Sequence, residues 1–315
     1  MEEFKCFLKG RNRLLLMAFA IIWITFFHYA LYGNLLRFPV ISFFFDKGYL
    51  GVDIFFFLSA YGLCYSYKSH SLKDFYIRRL RRLYPMYLVF LIILLVFFRH
   101  HYQLSIGKIL LFQISGLSSF TDTDIEWFIP ALTLVYLLFP LLFKGLKRIY
   151  NWGVWPSIVL ILLLSLSVFV LPGKVSSHFL PRFPIIAIGV LTFFALGDNN
   201  KTYLLSLYSF SAILGLALMG LVALKALNYS LLIPIILFSL SQISLKVPDC
   251  RWVDFVGEHT LELYLAQSLA YNQYMLYSSN LPFKVTSIVS FGIIIAGFMV
   301  FYLSQKGANR FLYKC

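Results

Sequence analysis

Two titratable side chains, His28 and Asp53, lie within strongly apolar stretches of this sequence. His28 interrupts AIIWITFFHYALYG at residues 20–33, and Asp53 interrupts GVDIFFFLSAYG at residues 51–62. An ionisable group inside a bilayer is costly and by default indicates a functional site. An imidazole beside a carboxylate is held in one tautomer and becomes more basic, as a general base requires. The two residues therefore predict a catalytic site that handles protons.

The two residues would lie at similar depths if each stretch spans a membrane. His28 is about 21 Å along a helix that starts near Leu14 on the inside, and Asp53 is about 5 Å below an outer boundary near Leu50. In a hydrocarbon core about 30 Å thick, these depths differ by about one helical turn. We therefore expect the pair in the outer half of the membrane. A purely structural role stays open for each residue. His28 would then donate a hydrogen bond to a backbone carbonyl, and Asp53 would cap its helix.

An arginine cluster follows at residues 78–82. Arg79 and Arg82 are three residues apart, so they share one face of a helix. The forked donors of a guanidinium suit phosphate, which predicts docking of a phosphate-rich cofactor. The same charges would also anchor any membrane protein to anionic lipid, and this reading stays open.

The composition predicts a membrane protein made of helices. The chain has 315 residues, of which 60% are hydrophobic and 13% charged, and its mean hydropathy is +0.81. Soluble domains average about 25% charged residues. Spanning segments must satisfy their own backbone hydrogen bonds, so we expect an all-α polytopic fold of about ten transmembrane helices. The apolar runs lie at about 14–33, 50–67, 84–99, 126–143, 153–171, 183–196, 203–222, 229–243, 258–277 and 286–303.

The distribution of positive charge predicts the orientation. If the N-terminus is on the cytoplasmic side, most of the 27 Lys and Arg residues fall in segments on that same side. The positive-inside rule then predicts that both termini are cytoplasmic. It also accounts for the net charge of +14, so we expect the lipid bilayer and no nucleic acid as a partner. The four cysteines have no metal-ligand spacing, and we expect no metal.

The connecting segments add three expectations. Residues 65–85 are patterned as a short amphipathic interfacial helix, after which Pro85 starts the third span. Trp127 is expected at headgroup level, and Glu262 is expected to pair with an arginine of residues 65–85. Since no internal repeat is evident, residues 1–315 are predicted to form a single membrane-embedded domain.

Six motifs in order resemble the integral-membrane acyltransferase 3 family. After His28 come GVDIFFFLSAYG, FYIRRLRRLYP at 75–85, WFIPALTLVYLLFP at 127–140, RFPIIAIG at 182–189 and GEHTLELYLAQ at 257–267. The resemblance covers most of the chain. Each motif is weak by itself in a chain rich in Phe and Leu, whereas the ordered set is specific.

The resemblance implies an O-acyltransferase of the bacterial inner membrane. It would move an acyl group from cytoplasmic acyl-CoA, most often acetyl-CoA, to a hydroxyl of a cell-surface or exported glycan. His28, with Asp53 beside it, would take a proton from the acceptor or carry the acyl group transiently. The implied contacts are Arg78, Arg79, Arg82 and Arg13 for the cofactor, and Trp127 and Arg182 for the acceptor. The oligomeric state is left open.

The chain departs from the family pattern at Met17, Ala60 and Gln267, where the family usually has Arg or Lys, Gly and His. Arg13 lies one turn before Met17 on the same helical face, so its long side chain is the candidate replacement. Two other functions stay open. One is a transporter or flippase of glycan or lipid intermediates, although no internal symmetry or mid-depth charge supports it. The other is a family member that binds an acceptor without catalysis.

Overall fold

The computed structural model describes residues 1–32, 39–102, 106–116, 126–170, 180–218, 229–242, 250–277 and 283–312. The helices are α1 (Glu2–Phe7), α2 (Gly10–Tyr32), α3 (Pro39–Asp46), α4 (Leu50–Ser69), α5 (Leu72–Tyr102), α6 (Ile106–Lys108), α7 (Phe128–Asn151), α8 (Val154–Val170), α9 (Phe183–Gly197), α10 (Lys201–Leu218), α11 (Ile233–Gln242), α12 (Arg251–Glu258), α13 (Thr260–Tyr277) and α14 (Phe283–Leu312). A π-helical turn, Ile109–Gln113, follows α6, and a 3-10 turn, Leu180–Arg182, precedes α9. Over these ranges the chain contains no β-strand.

Seven helices in the described part of the chain are long and apolar enough to cross a membrane. They lie at Gly10–His28, Leu50–Ser69, Leu72–Phe97, Phe128–Asn151, Leu180–Gly197, Lys201–Leu218 and Ser287–Arg310. Val154–Ser167 and Ile233–Gln242 are shorter apolar helices. The expectation of an all-helical chain with several candidate spans is confirmed. The count of about ten spans and the cytoplasmic side of both termini stay predictions.

The chain divides into two compact units. The first comprises Met1–Ile24, Lys47–His70 and Leu137–Gly257, and the second comprises Thr25–Asp46, Ser71–Tyr136 and Glu258–Cys315. His28 and the arginine cluster belong to the second unit, whereas Asp53, Arg182 and Arg13 belong to the first. The single domain over residues 1–315 stays a prediction.

The first unit has α4 and α9 at its centre. Both helices are buried along most of their length, as expected for helices that are apolar on every side. They pack closely because Gly189 has no side chain. A Cβ there would lie 2.8 Å from the carbonyl oxygen of Phe57 and 3.0 Å from the Cβ of Ala60. Gly51 lets α2 approach α4 in the same way, since a Cβ there would lie 2.5 Å from the Ala20 oxygen.

Buried hydroxyl groups join further helices of the first unit. The hydroxyls of Thr192 on α9 and Tyr208 on α10 share a hydrogen bond of 2.7 Å. Ser211 donates to the carbonyl of Leu231 at 2.7 Å. In an apolar interior these bonds satisfy polar groups that would otherwise destabilise the fold. They hold α10 against α9 and against the chain that leads into α11.

The second unit contains α13 and α14, which also pack through a small residue. A Cβ added at Gly297 of α14 would lie 3.3 Å from the Cβ of Ala266 on α13. Phe301, fully buried on α14, contacts Phe90 of α5 with 6.4 Å between the ring centroids. These contacts place α13, α14 and α5 beside one another.

α5 is one continuous helix, which corrects the expectation of a separate interfacial helix over residues 65–85. Residues up to Ser69 belong to α4, and Pro85 lies inside α5. A proline has no N–H to offer the carbonyl four residues earlier, here that of Arg81. Nε2 of Gln305, on α14, donates to that carbonyl at 3.1 Å. A side chain thus replaces the missing backbone hydrogen bond, and the helix continues.

Candidate functional site

His28 lies near the end of α2, beside α13. Its ring centroid is 5.3 Å from that of Tyr271. Its Nδ1 is buried, and within the described residues it has no hydrogen-bond partner. The ring borders a cavity of about 20 Å³, which is lined by Thr25, His28, Gln267, Ala270, Tyr271, Tyr274, Ser290 and Ile294. This volume suits one oxygen-sized group, such as a water.

Gln267 presents a second unsatisfied polar atom at the same cavity. Its side chain is only 4% exposed. The hydroxyl of Thr25 donates to Oε1 at 2.6 Å, which fixes the direction of the amide. Nε2 has no acceptor in the part of the chain that the structure describes. A buried N–H without an acceptor costs about 1–3 kcal/mol, so an entering oxygen that accepts from it would be stabilised.

The helical spacing explains why these groups meet. Thr25 and His28 are one turn apart on α2, and Gln267, Tyr271 and Tyr274 follow one face of α13. Ser290 of α14 closes the cavity, and its hydroxyl donates to Oε1 of Gln273 at 3.1 Å. The arrangement combines a ring nitrogen that is able to accept a proton with an amide that is able to donate a hydrogen bond. These are the two functions that acyl transfer requires.

Asp53 forms a buried ion pair with Arg182 in the first unit. Nε of Arg182 lies 3.1 Å from Oδ1 of Asp53, and the two side chains are 5% and 0% exposed. The pair joins the first turn of α4 to the residue before α9. Burial of either charge alone would be strongly unfavourable, and pairing reduces that penalty.

Asp53 and Arg182 are therefore neighbours in the fold, which their separation in the sequence did not indicate. The expected pairing of Asp53 with His28 stays a prediction, since the two residues belong to different units. The expected contact of Arg182 with an acceptor also stays a prediction.

The arginine cluster lies near the start of α5. Arg78 and Arg82 are exposed, whereas Arg79 is half-buried. The Arg79 guanidinium lies 5.6 Å from the Phe75 ring centroid and 5.8 Å from that of Tyr136. Stacking of this kind holds a guanidinium in a fixed direction. The exposed members are therefore accessible to a phosphate, and Arg79 is oriented by aromatic rings.

Arg13 and Trp127 occupy different surroundings. Arg13, on α2, lies against α4, and its Nη2 is 3.4 Å from the position of a Cβ added at Gly62. Trp127 is half-buried and directly precedes α7, whose first turn is capped by the buried carboxylate of Glu126. Tyr264 of α13 also donates to that carboxylate. Cofactor binding by Arg13 and acceptor binding by Trp127 stay predictions.

An open groove of about 450 Å³ lies between the start of α13 and the end of α14. It is lined by His259, Glu262, Tyr302, Gln305, Lys306, Asn309 and Arg310. Glu262 was expected to pair with an arginine of residues 65–85, and the structure instead places its carboxylate 3.2 Å from Nδ1 of His259. The pairing is local because the two residues are three positions apart. Sequence reasoning did not find this groove.

Comparison with known proteins agrees with the motifs. The family model described as an acyltransferase domain, of the acyltransferase 3 family, matches residues 15–304. No curated protein and no solved structure matched the chain significantly. The family match includes His28, the arginine cluster, Gln267 and the helices that carry them. Because this match covers nearly the whole chain, the protein belongs to the acyltransferase 3 family.

Proposed function

We propose that the protein is a membrane O-acyltransferase that moves an acyl group from cytoplasmic acyl-CoA to a hydroxyl of a cell-surface or exported glycan. Acetyl-CoA is the donor we expect. The observation that carries the proposal is the cavity where Nδ1 of His28 and Nε2 of Gln267 both lack partners among the described residues. Family membership supports an acyltransferase, and the apolar helices support its position in a membrane, which we take to be the bacterial inner membrane.

His28 acts as the base in this proposal. Its imidazole takes the proton of the acceptor hydroxyl while the hydroxyl oxygen attacks the thioester carbonyl carbon. The carbonyl oxygen becomes an oxyanion and accepts a hydrogen bond from Nε2 of Gln267. The carbon–sulfur bond then breaks, and the CoA thiolate leaves with the proton that His28 held. The products are the glycan ester and free CoA, and His28 returns neutral.

Thr25 fixes the direction of this hydrogen bond. Its hydroxyl donates to Oε1 of Gln267, so Nε2 is the amide atom that is left for a ligand oxygen. A donor that is already oriented needs no rearrangement as negative charge develops, and this is the main advantage of an oxyanion site.

Labelled acetyl-CoA and glycan, incubated with the purified protein in detergent, provide the test. We expect label transfer by the wild type and its loss in His28→Ala. His70→Ala is the matched control, since His70 bonds to the carbonyl of Ser66 and is not among the residues that line the cavity. The control should transfer label at the wild-type rate.

The same experiment separates the other functions. Movement of glycan across vesicles without label transfer would replace the proposal with a flippase. Binding of glycan without movement or transfer would indicate a non-catalytic member of the family.

A further inference from the structure

The groove between α13 and α14 has the composition of a phosphate site. Lys306 and Arg310 are exposed and one turn apart, so both cations face the same side of α14. Nζ of Lys306 lies 5.8 Å from the ring centroid of Tyr302, which holds the ammonium at the groove wall. Glu262 is the acidic lining residue, and His259 is beside its carboxylate. The lining is therefore suited to an anion.

Gln305 adds a specific requirement for the ligand. Its Nε2 is engaged by the carbonyl of Arg81 at 3.1 Å and by Oδ1 of Asn309 at 3.3 Å. Its Oε1 is buried and, within the described ranges, has no donor. An acceptor left in this state favours a ligand that brings an N–H or O–H group. The groove therefore suits a ligand that carries a phosphate and a hydrogen-bond donor close together.

We propose that this groove binds the phosphorylated ribose of acyl-CoA, an assignment that rests on the proposed function. The 3′-phosphate of CoA is adjacent to the ribose 2′-hydroxyl, which supplies an anion and a donor on neighbouring atoms. The phosphate lies between Lys306 and Arg310, and the hydroxyl donates to Oε1 of Gln305 once that buried side chain has turned toward the groove. The volume of about 450 Å³ is in the range of small-molecule sites.

The groove and the cavity both lie along α13. Glu262, at the groove, and Gln267, at the cavity, lie on α13 about 7.5 Å apart along the helix axis. Two extended residues span about this length, and the two-amide arm of CoA is longer than that. The bond from Gln305 to the carbonyl of Arg81 also joins the groove to the arginine cluster. Arg78 and Arg82 of that cluster are exposed, and in this proposal they bind the diphosphate of the same ligand.

The test compares CoA with dephospho-CoA, which lacks only the 3′-phosphate. Binding of each is measured by calorimetry on the full-length protein in detergent. We expect the wild type to bind CoA about tenfold more tightly, a difference of about 1.4 kcal/mol. The double variant Lys306→Glu/Arg310→Glu should lose this preference. Lys144→Glu/Arg148→Glu is the matched control, because these residues are also an exposed pair one turn apart and should keep it.

Each other result has a definite meaning. If the wild type binds neither nucleotide, the proposed donor is wrong, and with it the proposed function. If the groove variant binds CoA and keeps the preference, the groove inference is wrong and the proposed function stands. If instead the variant loses co-purified anionic lipid, detected by native mass spectrometry, and keeps the preference, the phosphate belongs to a lipid headgroup. Thermal melting of every variant shows that folding is intact.

Discussion

The hydroxyl of Thr25 donates a hydrogen bond of 2.6 Å to Oε1 of Gln267, and this bond orients an amide whose nitrogen has no acceptor within the described residues. The two residues are far apart in sequence and meet between α2 and α13. Neither is charged, and neither resembles a catalytic group by type. Their relationship converts an ordinary glutamine into a directed donor beside His28.

The first prediction concerns this donor. Gln267→Met keeps the size of the side chain and removes the N–H, so we expect kcat to fall about 10²-fold with little change in KM. Steady-state rates with acetyl-CoA measure both constants. Gln242→Met is the matched control, since Gln242 is exposed and bonds to Ser241. An unchanged kcat in Gln267→Met would remove the amide from the mechanism.

The second prediction concerns the residue that orients the donor. Thr25→Val removes the hydroxyl at nearly constant volume, which lets the amide rotate, and we expect a fall in kcat of about tenfold. Because the two residues act through one hydrogen bond, Thr25→Val should have almost no further effect in a Gln267→Met background. Full additivity in this double-mutant cycle would show that Thr25 acts elsewhere.

The third prediction concerns the buried ion pair. Arg182→Met leaves the Asp53 carboxylate buried without its cation, so we expect the free energy of unfolding to fall by about 3–5 kcal/mol. Asp53→Asn/Arg182→Met removes both charges and should recover most of that loss. Chemical unfolding in detergent, followed by tryptophan fluorescence, measures both variants. A double variant as unstable as the single one would mean that the charges themselves hold the fold.

The fourth prediction concerns the contact of α4 with α9. Gly189→Ala places a methyl group 2.8 Å from the carbonyl oxygen of Phe57, which forces the helices apart. Overpacking of this kind costs about 1–3 kcal/mol. Gly197→Ala, at the end of the same helix, meets no atom within 4 Å and serves as the control. Equal melting temperatures for the two variants would contradict the close approach.

The fifth prediction concerns Pro85. Gln305→Leu leaves the carbonyl of Arg81 without its donor and should cost about 1 kcal/mol. In a Pro85→Ala background the backbone N–H returns to that carbonyl. The same change at Gln305 should then have a much smaller effect on unfolding. An equal effect in both backgrounds would show that Gln305 does not compensate for the proline.

The sequence was sufficient for features that depend on local pattern. The apolar runs predicted the helical membrane fold, and His28 was identified because an ionisable group is rare in such a run. The ordered motifs identified the family. Each of these signals lies within a short stretch of the chain, so no knowledge of tertiary contacts was needed.

Features that depend on contacts between distant segments were not predicted. The Asp53–Arg182 pair and the Thr25–Gln267 bond both join residues far apart in the chain, and Gln267 was noted only as a departure from the family pattern. Pro85 was taken as the start of a span because proline is common at the first position of a helix. The helix continues since Gln305, from the last helix, satisfies the freed carbonyl. No local pattern reports such a partner.

The unsatisfied polar atoms at the cavity imply a trade-off between thermal stability and catalytic rate. A ring nitrogen and an amide N–H that are buried without a partner in the described part of the protein make the fold weaker than an apolar lining would. Selection for thermostability alone is therefore expected to enrich methionine or leucine at position 267, and the most thermostable variants should have the lowest turnover.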